Sequence, residues 1–296
     1  MSIGMIVRAS NTGLGTLSWE FARHLKPKKV LIITNGVEQT FPERYSEFEV
    51  QKARQPFFIQ PDECEWITDG VDMILSFETF YNWRVISSAR KKGVKSVLLT
   101  MCELFPEKVP IMPDLFLCPS KLDMDIIPEP KVFLPVPIAR DKLIWKNRDN
   151  ARTFIHSASH GGISGRKGTD KLIEAMKYVK SDIKLKIFTW QEFKVDDPRV
   201  EVSVVNFKNY WQIWREGDVL VYPQGFNGIC LPIVEAMVSG LAVITTDIYP
   251  FNEYMPKDLL FKPEKLVKRR FGGNLKEGDD PIIDPKTIAE KIDMIA

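Results

Sequence analysis

The chain has 296 residues, 44% of them hydrophobic and 27% charged, with 41 Lys plus Arg against 39 Asp plus Glu. This composition excludes wholesale disorder, and a net charge of +2 excludes a general nucleic-acid binder held by counterion release. The length suits two domains of about 150 residues each.

In chain order, MSIGMIVRAS has an apolar core of about five residues and runs straight into a glycine turn, so it reads as a first strand (residues 3–7) and not as a signal peptide. ASNTGLG (residues 9–15) is a loop carrying Gly13 and Gly15, and it leads into a helix with Leu14, Leu17, Phe21 and Leu25 on one face. GLG lacks the third glycine of a dinucleotide fingerprint, and VLIITNG ends without an acidic residue, so hydride transfer is a weak reading. Residues 37–66 carry little signal. Strands are expected at 71–77, 94–100 and 115–118, with a helix at 83–91 and the loop MCELFPE after Thr100. KVFLPVPI (131–138) is extended because its prolines forbid a helix, and the polar stretch 139–152 reads as the domain junction. Beyond it the alternation restarts. A strand at 153–157 leads into SHGGISGRKG (159–168), and Thr169 is placed as the cap of a helix with Leu172, Ile173, Met176 and Val179 on its apolar side. Strands follow at 183–188 and 200–205, with a short helix at 211–215; near the end, 265–274 reads as a basic solvated loop and 284–295 as a helix. The whole is α/β, two Rossmann-like doubly wound domains at 1–138 and 151–296, with a cleft expected at the C-terminal ends of both sheets.

Residues 218–246 are the most legible stretch. An apolar strand (219–222) meets the breakers Pro223, Gly225 and Gly228, then a helix with Pro232 in its first turn, Gly240 as its stop, and a second strand. Such a glycine-bearing helix start binds anions through free N–H groups and the helix dipole. Leu231, Val234 and Val238 share a helix face, and Glu235 falls on its edge. A carboxylate there needs a partner: either a neighbouring Lys, Arg or backbone N–H, or the hydroxyls of a ligand. Arg166 and Lys167 add positive charge beside the other glycine loop, which completes what a nucleotide diphosphate requires. The cysteines Cys64, Cys102, Cys118 and Cys230 lack metal-ligand spacing and read as free buried thiols. His156 and His160 run from a strand into a loop and need not share a face, and Asp123 and Asp125 read as solvent-facing on a helix, so no metal is expected. No run approaches the ~18 apolar residues of a membrane span, and a cytoplasmic protein is the expectation.

RKGTDKLIEAM followed by GFNGICLPIVEAMVSGLAVITT resembles the donor-binding domain of family-4 retaining glycosyltransferases of the GT-B fold, clearly over residues 153–256. The resemblance implies that Arg166 and Lys167 hold the donor diphosphate and Glu235 the ribose. It also implies that the backbone around Gly228, Ile229, Cys230 and Leu231 approaches the sugar and phosphates, with His160, Gly161 and Gly162 in the facing loop. By the same resemblance Gly13 and Gly15 take the place of the family's N-terminal glycine loop. Three departures stand out. Asn227 occupies the place of the first of two glutamates, Gly162 that of an arginine five residues before the lysine, and the N-terminal histidine expected near Thr100 is replaced by Met101, Cys102 and Glu103. An amide at 227 can bond sugar hydroxyls but carries no charge.

The reaction implied is transfer of a hexose, glucose foremost, from a nucleotide diphosphate sugar, UDP-sugar foremost, to a hydroxyl acceptor with retention and without metal. Arg166, Lys167, Asn227 and Glu103 are the catalytic candidates. IVRASNTGLGTLSWEF in so compact a chain resembles short bacteriophage-encoded glycosyltransferases, which implies a hydroxylated DNA base, a protein or a glycan as acceptor. Two other classes stay open. A nonhydrolytic sugar-nucleotide isomerase would need acid and base carboxylates in the cleft, whereas a nucleotide-sugar-binding protein with weak or no catalysis would keep the diphosphate site alone.

Overall fold

Short apolar runs flanked by breakers, such as IGMIVR, VLVY and AVITT, become the buried inner strands of two parallel sheets, as their lack of alternation requires. The computed structural model describes residues 1–296 apart from 38, 160, 164, 206, 208 and 271–276. The chain divides into two compact units, Met1–Ile138 and Ala139–Ala296.

The first unit runs β1 (Ile3–Arg8), α1 (Gly13–Leu25), β2 (Lys29–Ile33), β3 (Glu49–Lys52), α2 (Pro61–Thr68), β4 (Met73–Phe77), α3 (Arg84–Lys91), β5 (Lys95–Leu99), β6 (Leu115–Cys118), α4 (Lys121–Ile126) and β7 (Lys131–Phe133). Its parallel sheet has the order β3-β2-β1-β4-β5-β6-β7, doubly wound about the step from β1 to β4. The backbone of α2 lies so close to β1 that a Cβ on Gly4 would come within 2.7 Å of the Ile67 carbonyl oxygen. Residues 37–66, unreadable in advance, hold β3 and α2. Glu63 is buried there because it serves the helix start, one carboxylate oxygen accepting from the Gln60 N–H at 2.7 Å and the other from the Arg54 N–H at 2.9 Å. On α1, Leu17 and Phe21 are buried as expected, but Leu25 at the last turn is exposed. Asp123 departs from the solvent-facing expectation. It is fully buried at the start of α4, where its N–H donates to the Ser120 hydroxyl and its carboxylate bonds Ser120 and Thr100, whereas Asp125 is exposed.

The second unit runs β8 (Thr153–Ser159), α5 (Thr169–Met176), β9 (Lys184–Thr189), β10 (Val200–Val204), β11 (Val219–Tyr222), α6 (Leu231–Val238), β12 (Ala242–Thr246), β13 (Leu260–Phe261), β14 (Lys265–Arg270), β15 (Glu277–Ile282) and α7 (Pro285–Ile295). Strands β8 to β13 form a parallel sheet of order β10-β9-β8-β11-β12-β13, with Phe154, Leu172, Ile187, Val221 and Ile288 in its core. The two doubly wound α/β units are those expected. Lys265–Arg270 is not a loop. It pairs antiparallel with Glu277–Ile282, and Lys268 and Arg269 meet Asp279 and Asp280 at 2.8 and 3.1 Å, so its charge is answered across the hairpin. Residues 271–274 of the expected loop lie outside the described residues. No helix among the described residues is long and apolar enough to cross a membrane, and the four cysteines are buried thiols outside any disulfide.

The polar stretch read as a junction packs on the second unit through Arg148. Its guanidinium donates to the carbonyls of Gly217 at 2.9 Å, Trp214 at 2.9 Å and Ser239 at 2.6 Å, gathering the ends of α6 and of the preceding short 3-10 helix (Tyr210–Arg215). Arg148→Ala is expected to destabilise this unit by about 2 to 4 kcal/mol, with Arg148→Lys recovering little because an ammonium cannot span the fork. Urea unfolding followed by tryptophan fluorescence measures both.

Candidate functional site

Two loops leave the C-terminal ends of adjacent strands β8 and β11 and are bound to each other through their backbones. The first begins at a bulge. The β8–β9 register shifts between Ser157 and Ser159, and Ser159 takes a left-handed conformation (φ 52°), which turns the chain out of the sheet. The loop ends at Gly168 (φ 72°), whose Cβ, if it had one, would collide with the carbonyl oxygen of Pro223 in the second loop. Gly168, not Thr169, caps α5. The Gly225 N–H donates to the Arg166 carbonyl at 2.8 Å, and Arg166 Nη1 reaches the Phe226 carbonyl at 3.2 Å. Glycine at 168 is therefore what allows the two loops to touch.

Thr169 instead turns its hydroxyl to His156. The His156 ring lies fully buried between strands with Nδ1 2.9 Å from the Val221 carbonyl and Nε2 2.9 Å from Thr169 Oγ1. A carbonyl can only accept, so Nδ1 carries the proton and Nε2 accepts from Thr169. Burial pulls this histidine down to about 4, and the neutral ring fixes the β8–β11–α5 corner from which both loops spring. Its partner in the sequence reading, His160, lies outside the described residues.

Helix α6 starts at the rim of the second loop. Cys230 is its cap residue, in a left-handed conformation (φ 55°), and its N–H donates to Asn227 Oδ1 at 3.2 Å. Asn227 thus holds the helix start with the oxygen of its amide. Gly228 and Ile229 are buried in the turn between them, and Leu231 opens the helix. The buried side of α6 is Leu231, Ile233, Glu235 and Ala236, with Val234 and Val238 only half-buried, so Glu235 lies within the covered face and not on its edge. The Phe226 N–H is held by the Asp279 carbonyl at 3.0 Å, and Gly278 lies against the Phe226 ring, so the β14–β15 hairpin braces this loop from outside.

Two cations, Arg166 and Lys167, stand next to each other at this place. Burial pulls the Lys167 ammonium down to about 8, and the neighbouring Arg166 acts in the same direction; the opposing influence is the Cys230 thiol, and no carboxylate of the described residues is among the charges acting on it. The Lys167 Nζ stands 5.8 Å from the centroid of the Tyr222 ring. Gly161 and Gly162 precede these cations in the loop, Gly162 (φ 54°) beneath the side chain of Gln191. The structure therefore gathers Arg166, Lys167, Asn227, Gly228, Ile229, Cys230, Leu231 and Glu235 around one helix start. Gly13, Gly15 and Glu103 belong to the first unit. Gly13 and Gly15 lie in the first turn of α1, which begins within the expected loop, and Gly15 packs on the backbone of Ser10. Glu103 is buried after β5 near Asp123, whose carboxyl is raised to about 6 by burial, with the charge of Glu103 acting the same way.

Two further residues enter the site that the sequence did not single out. Gln224, fully buried directly after β11, accepts from the Cys230 thiol at 3.4 Å, and Thr246, fully buried, closes β12. Their signal is polar burial, which becomes visible only once the strands are registered.

Parallel doubly wound units of 7 and 6 strands are the architecture of the GT-B glycosyltransferases. Residues 155–269 match the family described as "Glycosyl transferases group 1". Among solved structures, the chain is similar to Anabaena Alr3699/HepE in complex with UDP and glucose, at 12% identity and a TM-score of 0.71 over 99% of this chain and 89% of that one. It is equally similar to a glycosyltransferase from Rickettsia africae, at 12% identity and a TM-score of 0.71 over 99% of this chain and 87% of that one. The lipopolysaccharide outer core galactosyltransferase WaaB matches at 14% identity and a TM-score of 0.60 over 86% of this chain and 84% of that one. A search of curated protein sequences returned no match.

Proposed function

We propose that the chain is a glycosyltransferase that takes a hexose from a nucleotide diphosphate sugar, with UDP-glucose the first donor to test, and passes it to a hydroxyl acceptor with retention at the anomeric carbon. The observation that carries this reading is the desolvated Lys167 ammonium beside Arg166 at the start of α6, with Glu235 on the buried face of that same helix. An anion with many acceptor oxygens answers this set, and a diphosphate leaving group develops its charge where the donors already stand, a preorganised electrostatic contribution to the rate. Arg166 and Lys167 hold the diphosphate, the N–H groups at the start of α6 add to them, and Glu235 accepts from the ribose. Asn227, already bonded to Cys230 through its oxygen, has its amide N–H₂ to offer a sugar hydroxyl. The matched family and the UDP bound in HepE support a donor of this class.

By this reading the first unit receives the acceptor, a hydroxylated DNA base, a protein or a glycan, with Glu103 as the group that meets it, in a bacteriophage-encoded protein acting in the cytoplasm. Incubation with UDP- and GDP-sugars, with and without a lysate as acceptor source, tests the activity through release of free UDP or GDP and transfer of labelled sugar. A saturating nucleotide sugar should raise the melting temperature. No rise with any of them would remove the donor site itself.

A further inference from the structure

Among the buried polar atoms of the second unit that have no hydrogen-bond partner, Gln224 Nε2 and Thr246 Oγ1 belong to residues at the exits of the adjacent strands β11 and β12, and Asn252 Oδ1 to the segment that follows β12. Tyr222 and Thr245 are register partners, and parallel strands run about 4.8 Å apart, so Gln224 and Thr246 leave the sheet side by side. The corner is held firmly. Thr245 Oγ1 donates to the Tyr222 carbonyl at 2.7 Å, and the Tyr254 hydroxyl donates to the Ile229 carbonyl at 3.3 Å, tying the loop after β12 to the one before α6. Within it the Cys230 thiol takes the oxygen of Gln224 and leaves both N–H bonds of Nε2 unused, while Asn252 gives Nδ2 to Asp247 Oδ1 at 2.9 Å and keeps its own oxygen.

The chemistry of these groups differs from that of the loop after β8. Arg166 and Lys167 supply positive charge on the β8 side of the α6 start, whereas on the β12 side stand an N–H donor, a hydroxyl that donates and accepts, and an acceptor oxygen, all neutral. Phosphate oxygens only accept; sugar hydroxyls both donate and accept. We propose that Gln224 and Thr246 read the hydroxyl groups of the transferred sugar and so set donor specificity, with Asn252 beside them. This rests on the nucleotide-sugar reading above and assigns the two halves of the donor to opposite sides of one helix start.

The test uses Thr246→Val, Thr246→Ser and Gln224→Met in the full chain, with UDP, UDP-glucose, UDP-galactose and UDP-N-acetylglucosamine as probes in titration calorimetry. The Thr246 hydroxyl has no partner in the fold, so Thr246→Val should keep or raise the melting temperature, as removal of an unsatisfied buried group does. Expected is a loss of about three- to tenfold in affinity for the sugar nucleotide that wild type prefers, with affinity for UDP changed less than about twofold. Thr246→Ser restores the hydroxyl and most of the sugar affinity, and Gln224→Met reproduces the loss. Equal losses for UDP and the sugar nucleotide, or none for either, overturn the assignment. If UDP binds wild type and no sugar adds affinity, the assignment alone falls. If neither UDP nor any sugar nucleotide binds, it falls together with the donor site.

Discussion

Lys167→Ala is expected to weaken binding of a nucleoside diphosphate by about 2 to 4 kcal/mol, some thirty- to thousandfold in Kd, because the lost bond is charge-assisted and made by a half-buried ammonium. The same substitution should stabilise the empty protein at pH 7. The folded environment holds this ammonium at about 8, below its ordinary value, so keeping it charged works against folding wherever the pH lies below about 8. Its removal should raise stability by about 1 to 3 kcal/mol. A residue that lowers stability and raises affinity is a functional one, and a merely structural lysine would show neither sign. The pH profile follows from the same value. Binding selects the protonated form, so affinity should be flat below about pH 8 and fall toward tenfold per pH unit above it, and Lys167→Ala should abolish that slope. Calorimetric titrations with UDP from pH 6 to pH 9.5, on wild type and variant, measure both the loss and the slope. A slope that survives in the variant assigns the titration to another group.

What the sequence made legible divides along a physical line. Runs such as VLVY and AVITT are self-sufficient signals, since a parallel strand covered on both faces needs only apolar residues and a breaker at each end. The segment before residue 66 was opaque because its buried residues act through distant partners. Tyr45 is fully buried by packing edge-on to Trp19 of α1 and by donating to the Arg8 carbonyl at 3.3 Å, and Glu63 is buried as a helix cap. The KLVKRR strand failed to show for a related reason. Its charges are answered by EGDD across a hairpin, and nothing local announces the pairing. On α6 the apolar residues surround the helix, so spacing alone could not say which side the sheet covers, and Glu235 was set on an edge it does not occupy. The site was readable where chemistry and punctuation coincide, as in Arg166, Lys167 and the Gly168 that lets two backbones touch. It was unreadable where the evidence is an unused hydrogen bond, as at Gln224 and Thr246.

Glu235→Gln is expected to weaken UDP binding by about 1 to 3 kcal/mol if the carboxylate accepts from both ribose hydroxyls. The substitution preserves shape and one acceptor oxygen, so the buried face of α6, shared with Leu231, Ile233 and Ala236, should stay packed and the melting temperature should move little. A fall in affinity could still arise indirectly, because a buried carboxylate also influences its neighbours, and Tyr222 is among those that feel its charge. Nucleotides lacking one ribose hydroxyl separate the two cases. Against 2′-deoxy- and 3′-deoxyuridine diphosphate, wild type should lose what the variant has already lost, and the difference between the two proteins should shrink toward zero for whichever hydroxyl Glu235 holds. If the variant's deficit stays constant across UDP and both deoxy analogues, the carboxylate supports the helix and does not touch the ribose. If it vanishes for one analogue alone, that hydroxyl is the contact, and the orientation of the nucleotide along α6 follows from it: ribose over the helix body, diphosphate toward Lys167, and sugar toward Thr246.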